Sequence, residues 1–411
     1  MVYLLCGTAT AGYICRVNVA TAAPLLMQEF SLSQIAMGRI FSAFLLGYAI
    51  CQIPAGALAD RWGTRSVLAK AAWLWAGFTF LQASIGWGPI SLPPAYSLFS
   101  LVLFRFLLGV SASPTYPASA AGISRWMPGS AQGRANGIVI ASVGLGSAIA
   151  PPLVSHMMIG WGWRSALLVT ALPALLIAMI WKGTREPDGG PEKESNAILS
   201  SIDPGHEVKT RLWTPGFILL TISYSLQGYV GYIFVSWFYI YLVQVRHFSL
   251  LAGGWIGSLP WVLSIISMPL GGLVADRLSA GKLGPTWGPR IVPICGMALS
   301  GILISLGAHT ANAIFAAIIL ALATAMVLCV EGPFWTVMTR FAGAKSGQAG
   351  GVMNMGSNIG GLLSPAITPI LAAAIGWENA LHLAASFAIL AAVLWCWISP
   401  PPWPPREESK E

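Results

Sequence analysis

Charge is what this sequence has least of. Only 14 acidic and 22 basic residues stand among 411, while 56% of the chain is hydrophobic. With a mean hydropathy of +0.71, it lacks the polar surface that a soluble protein of this size requires. Sustained alternation of polar and apolar residues is also missing, which excludes a transmembrane β-barrel. There is no phosphate-loop motif, so ATP-driven pumping of that kind is excluded. No apolar run carries a Ser/His/Asp set, a paired carboxylate or a metal-ligand cluster, so enzyme chemistry, a cofactor and a metal are not expected. The six cysteines (Cys6, Cys15, Cys51, Cys295, Cys329, Cys396) fall in or beside apolar runs without metal-type spacing and read as packing residues.

What the sequence has is long apolar runs, each near the ~20 residues that cross a bilayer as a helix. A backbone in lipid must satisfy its own hydrogen bonds, so these runs are helices. Twelve spans are expected: 2–26, 35–58, 66–87, 96–123, 135–158, 164–182, 214–243, 250–275, 289–309, 312–338, 350–374 and 378–399. The first is too long for a signal peptide, has no basic leader and contains Arg16, so it counts as a span. With the N-terminus inside, one set of loops holds most of the Lys and Arg, from Arg61 and Arg65 to Arg340 and Lys345. The opposite set holds only Arg164 and Arg246. The positive-inside rule then predicts both termini in the cytoplasm. The net charge of +8 mostly reflects this bias and does not argue for nucleic acid.

A polar stretch divides six spans from six. The expected organisation is an N-terminal bundle (1–182), a cytoplasmic linker (183–213), a C-terminal bundle (214–399) and a cytoplasmic tail (400–411). The halves repeat one another. Gly146, Pro151, Gly162-Trp163 and Ala166-Leu167 recur as Gly360, Pro365, Gly376-Trp377 and Ala380-Leu381, each pair 214 positions apart by subtraction. Ala59-Asp60-Arg61 recurs as Ala275-Asp276-Arg277. Two parallel six-helix repeats form a transporter architecture with its site near the midplane.

Gly56-Ala-Leu58-Ala-Asp60-Arg61-Trp-Gly63-Thr-Arg65, Arg105-x-x-x-Gly109 and the Gly144/Gly146…Pro151 stretch resemble three signatures of the major facilitator superfamily. The resemblance implies an all-α membrane fold of two pseudo-symmetric six-helix bundles. It also implies that Gly56, Asp60, Arg61 and Arg65, with Asp276 and Arg277, form a gating motif.

Function is expected where charge sits at unfavourable depth. Arg16, Arg105 and Glu331 qualify, whereas Arg39 can snorkel. An arginine at helix centre costs about 2.5–3.5 kcal/mol on insertion scales, so it normally faces a cavity and a partner. Two arginines against one buried acid leave a positive cavity, suited to an anion, and the guanidinium fork suits a carboxylate. Arg105 can equally organise the helices around it. Tyr13-Ile-Cys15-Arg16-Val-Asn18, Phe41-Ser42-Ala43-Phe44…Gly47-Tyr48 and Asn354…Asn358-Ile-Gly360-Gly361 resemble the anion:cation symporter family. That resemblance implies a carboxylate or sugar-acid substrate gripped by Arg16 beside Tyr13 and Tyr48. It also implies that Asn354 or Asn358, with Gln227, meets substrate hydroxyls from the other half, and Trp335 is added to this set. Tyr224, Tyr229 and Tyr232 read as core packing or cavity lining.

The chain departs from the family at two positions where proton-coupled members carry acids, which here are Cys15 and Ala112. Coupling is therefore open. Glu331, next to Gly332 and Pro333, which are expected to interrupt span ten, is the candidate proton carrier, or else a structural partner. His156, His309 and His382 are weaker candidates. The expected partners are a small organic anion, protons and the bilayer, in a monomer of the bacterial inner membrane. A neutral-solute facilitator and a transport-fold sensor are the rival readings.

Overall fold

The computed structural model describes residues 1–87, 93–185, 213–342 and 346–399. The tail lies outside these residues, as does most of the linker. The helices of the first repeat are α1 (Val2–Glu29), α2 (Gln34–Trp62), α3 (Thr64–Ser84), α4 (Pro94–Ala112), α5 (Thr115–Trp126) and α6 (Gly129–Gly183). Those of the second are α7 (Pro215–Ser236), the short α8 (Phe238–Ile240), α9 (Leu250–Ala280), α10 (Gly284–His309), α11 (Ala313–Cys329), α12 (Glu331–Ala342) and α13 (Ser346–Leu394). No strand occurs among the described residues.

Among the described residues, eight helical runs are long and apolar enough to cross a membrane. Two of them, Arg134–Gly183 and Gln348–Leu394, are 50 and 47 residues long and carry two spans each. Adding the less apolar α1 and α3 reaches the expected twelve.

Several spans are not single helices. Span four is α4 plus α5, with the break at Ser113-Pro114. Span seven ends in a π-helical turn, Tyr241–Val245. Span ten is α11 plus α12. Its break falls at Val330 rather than at Gly332-Pro333, which sit in the first turn of α12. Proline is tolerated there because its missing N–H is one of the orphans at a helix start. Spans five and six form one run, bent at Gly162 (φ 79°), and spans eleven and twelve bend at Gly376 (φ 85°). Positive φ disfavours any residue with a Cβ.

The chain forms two compact units. The first comprises 1–206, 232–265 and 361–380, and the second comprises 207–231, 266–360 and 381–411. In the first, α1 and α3 pack against α6, and α2 packs against α4. In the second, α10 packs against α11. The repeat reappears as packing inside each unit. A Cβ on Gly146 would meet the Thr10 backbone, and one on Gly360 would meet that of Ser225, so glycine permits the same close crossing twice.

The first unit does not follow the repeat boundary, because parts of the second repeat pack into it. Ser42 donates to the Leu362 carbonyl (2.8 Å), and Gln34 donates to Gln244 (3.0 Å). Phe41 meets Trp237 edge-on at 5.5 Å. Where α1 ends, Glu29 accepts from Trp163 Nε1 (2.6 Å) and from both terminal nitrogens of Arg164. Arg164 also donates to the Ile85 and Gly86 carbonyls. Partial burial works against Glu29 ionising, but the hydrogen bonds from Arg164 and Trp163, with the charge of Arg164, hold its carboxyl below the usual range.

Candidate functional site

The first twenty residues of α1 mix Thr8, Thr10, Tyr13, Arg16 and Asn18 with small apolar residues, and the helix is buried on most faces from Ile14 to Ala23. Its middle can therefore hold groups that lipid would reject. Asn18 donates to Thr170 Oγ1 (2.9 Å), and the Cys15 thiol donates to the Thr170 carbonyl (3.4 Å). Arg16, 9% exposed, points elsewhere.

Its guanidinium lies in an aromatic cage. The ring centres of Tyr13 and Phe44 are each 4.9 Å from Cζ, that of Tyr232 is 5.4 Å away and that of Tyr48 is 5.6 Å away. Nη1 donates to the Tyr13 hydroxyl (3.0 Å), and Nη2 donates to the Tyr232 hydroxyl. Tyr116 donates to Tyr13 at 3.2 Å, extending the hydroxyl chain. Such cation–π contacts stabilise a desolvated cation by about 2 kcal/mol. They do not neutralise it. Among the described residues, no carboxylate lies within ion-pair distance of Arg16.

Arg105, 3% exposed, approaches from α4. Nη2 donates to the Arg16 carbonyl (2.9 Å), and Nη1 makes a longer bond to that of Cys15 (3.4 Å). Arg105 thus ties down the α1 backbone at Arg16, the helix-organising role left open by the sequence. Its guanidinium also stands 5.1 Å from the Phe44 centre. Arg16, Arg105, Phe44 and Tyr232, with Ala20, Phe41, Leu45, Val235 and Ser236, line a cavity of about 20 Å³. That is room for about one water. An organic substrate needs the site to open.

The structure brings Tyr13, Tyr48 and Arg105 to Arg16 and adds Phe44, Tyr116 and Tyr232. Helical spacing carried part of this signal, since Phe44 and Tyr48 are four apart and Tyr232, Val235 and Ser236 share one face. Tyr116 follows the break at Pro114, where no periodicity points to it.

The other predicted residues belong to the second unit. Glu331 accepts from the Tyr224 hydroxyl, from Trp335 Nε1 (3.0 Å) and from Gln227 Nε2 (3.3 Å). Gln227 also donates to the Val327 carbonyl at 3.2 Å. Gln227 and Trp335, expected at the substrate, thus hold donors toward Glu331. Asn358 is buried and Asn354 half-buried on α13. Of the gating motif, Arg61, Asp276 and Arg277 are exposed, and the burial of Gly56 and Asp60 lies outside what the structure describes. Arg65 donates through Nε to the Trp181 carbonyl (3.1 Å) and through Nη2 to that of Lys182 (2.5 Å). A cation there complements the negative end of α6.

A family model for the Major Facilitator Superfamily matches residues 4–365 and 278–411. The chain belongs to the Major Facilitator Superfamily. It is a multi-pass membrane transporter, not an enzyme. Among curated superfamily members it is 29% identical to a probable sulfoacetate transporter of Cupriavidus necator, over 89% of this chain and 85% of that one. It is 28% identical to a probable galactarate/D-glucarate transporter of Bacillus subtilis, over 96% and 90%. It is 25% identical to a D-galactonate transporter of Escherichia coli, over 94% and 92%. The fold matches a bacterial homologue of the human lysosomal transporter Spinster in an inward-facing, occupied conformation, with TM-score 0.79, 18% identity and coverage of 97% and 96%. It also matches a D-xylose-proton symporter, with TM-score 0.75, 18% identity and coverage of 97% of each chain.

Proposed function

We propose that this superfamily member moves a small organic anion across a bacterial inner membrane by alternating access, and that Arg16 grips the anion's acid group. The observation that carries this reading is a buried guanidinium with hydroxyl and ring neighbours but no carboxylate among the described residues. A neutral solute would leave that charge uncompensated, which argues against the neutral-facilitator alternative. The relatives named above are transporters of sulfoacetate, galactarate or D-glucarate, and D-galactonate, which supports an acidic substrate.

In this reading both termini are cytoplasmic, the protein is a monomer in the bilayer, and residues 1–182 and 214–399 rock about the site. Tyr13 and Tyr48 flank the bound acid. Asn354, Asn358, Gln227 and Trp335 are the proposed partners for substrate hydroxyls. Glu331, with its shell of neutral donors, is the proposed proton-coupling group. Gly56, Asp60, Arg61, Arg65, Asp276 and Arg277 act in gating.

The test is thermal stabilisation of purified protein by carboxylates, sugar acids and neutral sugars. Carboxylates should stabilise the wild type, and Arg16→Ala should lose the effect while still expressing. Stabilisation by neutral sugars alone would overturn the reading.

A further inference from the structure

The cavity wall holds two guanidinium groups rather than one. Their Cζ atoms lie 4.9 Å and 5.1 Å from the same Phe44 ring centre, so they can be no farther apart than the sum, 10.0 Å. Both side chains are at least nine-tenths buried. The titratable groups that act on Arg16 are Tyr13, Tyr232, Tyr48 and Tyr116, and those that act on Arg105 are Arg16 and Cys15. None of these neighbours is a carboxylate. Ala112, packed in the same apolar cluster as Cys15 and Phe44, brings no carboxylate either.

Two buried like charges without a counter-ion repel one another and each lacks compensation. Arg105 is engaged with α1 carbonyls through its terminal nitrogens, and its buried Nε has no partner among the described residues. A bound monoanion would leave one positive charge unanswered. We infer that the site selects a compact dianion, one acid group on the Arg16 fork and the second within the field of Arg105, less than about 10 Å away. This rests on the reading of Arg16 as the substrate's anchor and adds the charge class. The substrate itself supplies both negative charges, so neutrality at this site requires no protein carboxylate and no proton.

The experiment is calorimetric titration of the purified full chain at pH 7.5. The probes are malonate, succinate, glutarate and a hydroxylated six-carbon diacid, each beside its monomethyl ester. These pairs differ by one charge on one skeleton. At least one diacid is expected to bind about tenfold or more tightly than its ester. In Arg105→Gln that preference should fall to about threefold or less, with Arg105→Lys retaining most of it. The wild-type comparison decides the matter even if the variants fold poorly. Esters that bind as tightly as their diacids, with binding still lost in Arg16→Ala, would overturn the dianion inference and leave the anchor standing. Binding of neutral sugars with no anion bound would overturn both.

Discussion

Arg16 in one compact unit meets Tyr13, Tyr48, Tyr232 and Phe44, while Glu331 in the other meets Tyr224, Gln227 and Trp335. Neither has an opposite charge within ion-pair reach among the described residues. The difference lies in saturation. The Glu331 carboxylate receives three donors from its own chain. A guanidinium offers five N–H groups, and Tyr13 and Tyr232 take up two of those on Arg16. One charge is satisfied internally, and the other has donors left for an external acceptor. A buried charge marks a binding site when its hydrogen-bonding capacity is unfilled, not merely because it is buried.

That contrast is open to attack from both sides. The largest effect after loss of Arg16 is expected at Glu331. Glu331→Ala strands three donors and should destabilise the protein by about 1–3 kcal/mol in thermal unfolding. Glu331→Gln, which keeps an acceptor, should cost less. Both variants should bind anions within about threefold of wild type. If Glu331 couples protons, Glu331→Gln should abolish the pH dependence of uptake while exchange persists. A large loss of anion affinity in Glu331→Gln would instead show that the two charges serve one site.

A smaller effect sharpens the Arg16 side. Tyr232→Phe keeps the ring 5.4 Å from Arg16 but removes the hydroxyl that accepts from it. If that hydroxyl is a stand-in for substrate, its loss leaves the empty site poorer by about 1 kcal/mol and tightens anion binding about three- to tenfold in titration. Weaker binding would mean that the hydroxyl contacts the substrate instead.

The smallest effect is the control. Glu29, paired with Arg164, is half-exposed, so screening keeps its contribution small. Its lowered carboxyl value means that the contribution is full above the ordinary value of 4.5 and is lost as pH falls through the lowered one. Glu29→Gln should therefore flatten only the acid limb of a stability profile and leave anion binding unchanged.

Much of this was legible in the sequence, and the remainder failed for definite reasons. Hydropathy located the spans because lipid penalises every exposed polar group along their length. It did not locate the breaks at Ser113-Pro114 and Val330, where local backbone geometry decides and the apolar run continues. Gly332 and Pro333 looked like the interruption of span ten, yet a first helical turn accommodates them. Arg16 stood out as a charge in an apolar run, and Tyr13 and Tyr48 followed from the family resemblance. Tyr116 and Tyr232 reach it from distant helices, and only packing reveals that.

The bends at Gly162 and Gly376 carry a mechanical consequence. Each joins two membrane-crossing rods through a single left-handed residue, with no loop between them. A Cβ there would meet no neighbour within 4 Å, so glycine is required by its torsion alone, an extended positive-φ conformation that costs any other residue about 1–3 kcal/mol. Such an elbow has little slack. Tilting one arm must tilt the other, so each rod pair transmits displacement as a bent lever, and the repeat provides two matched levers.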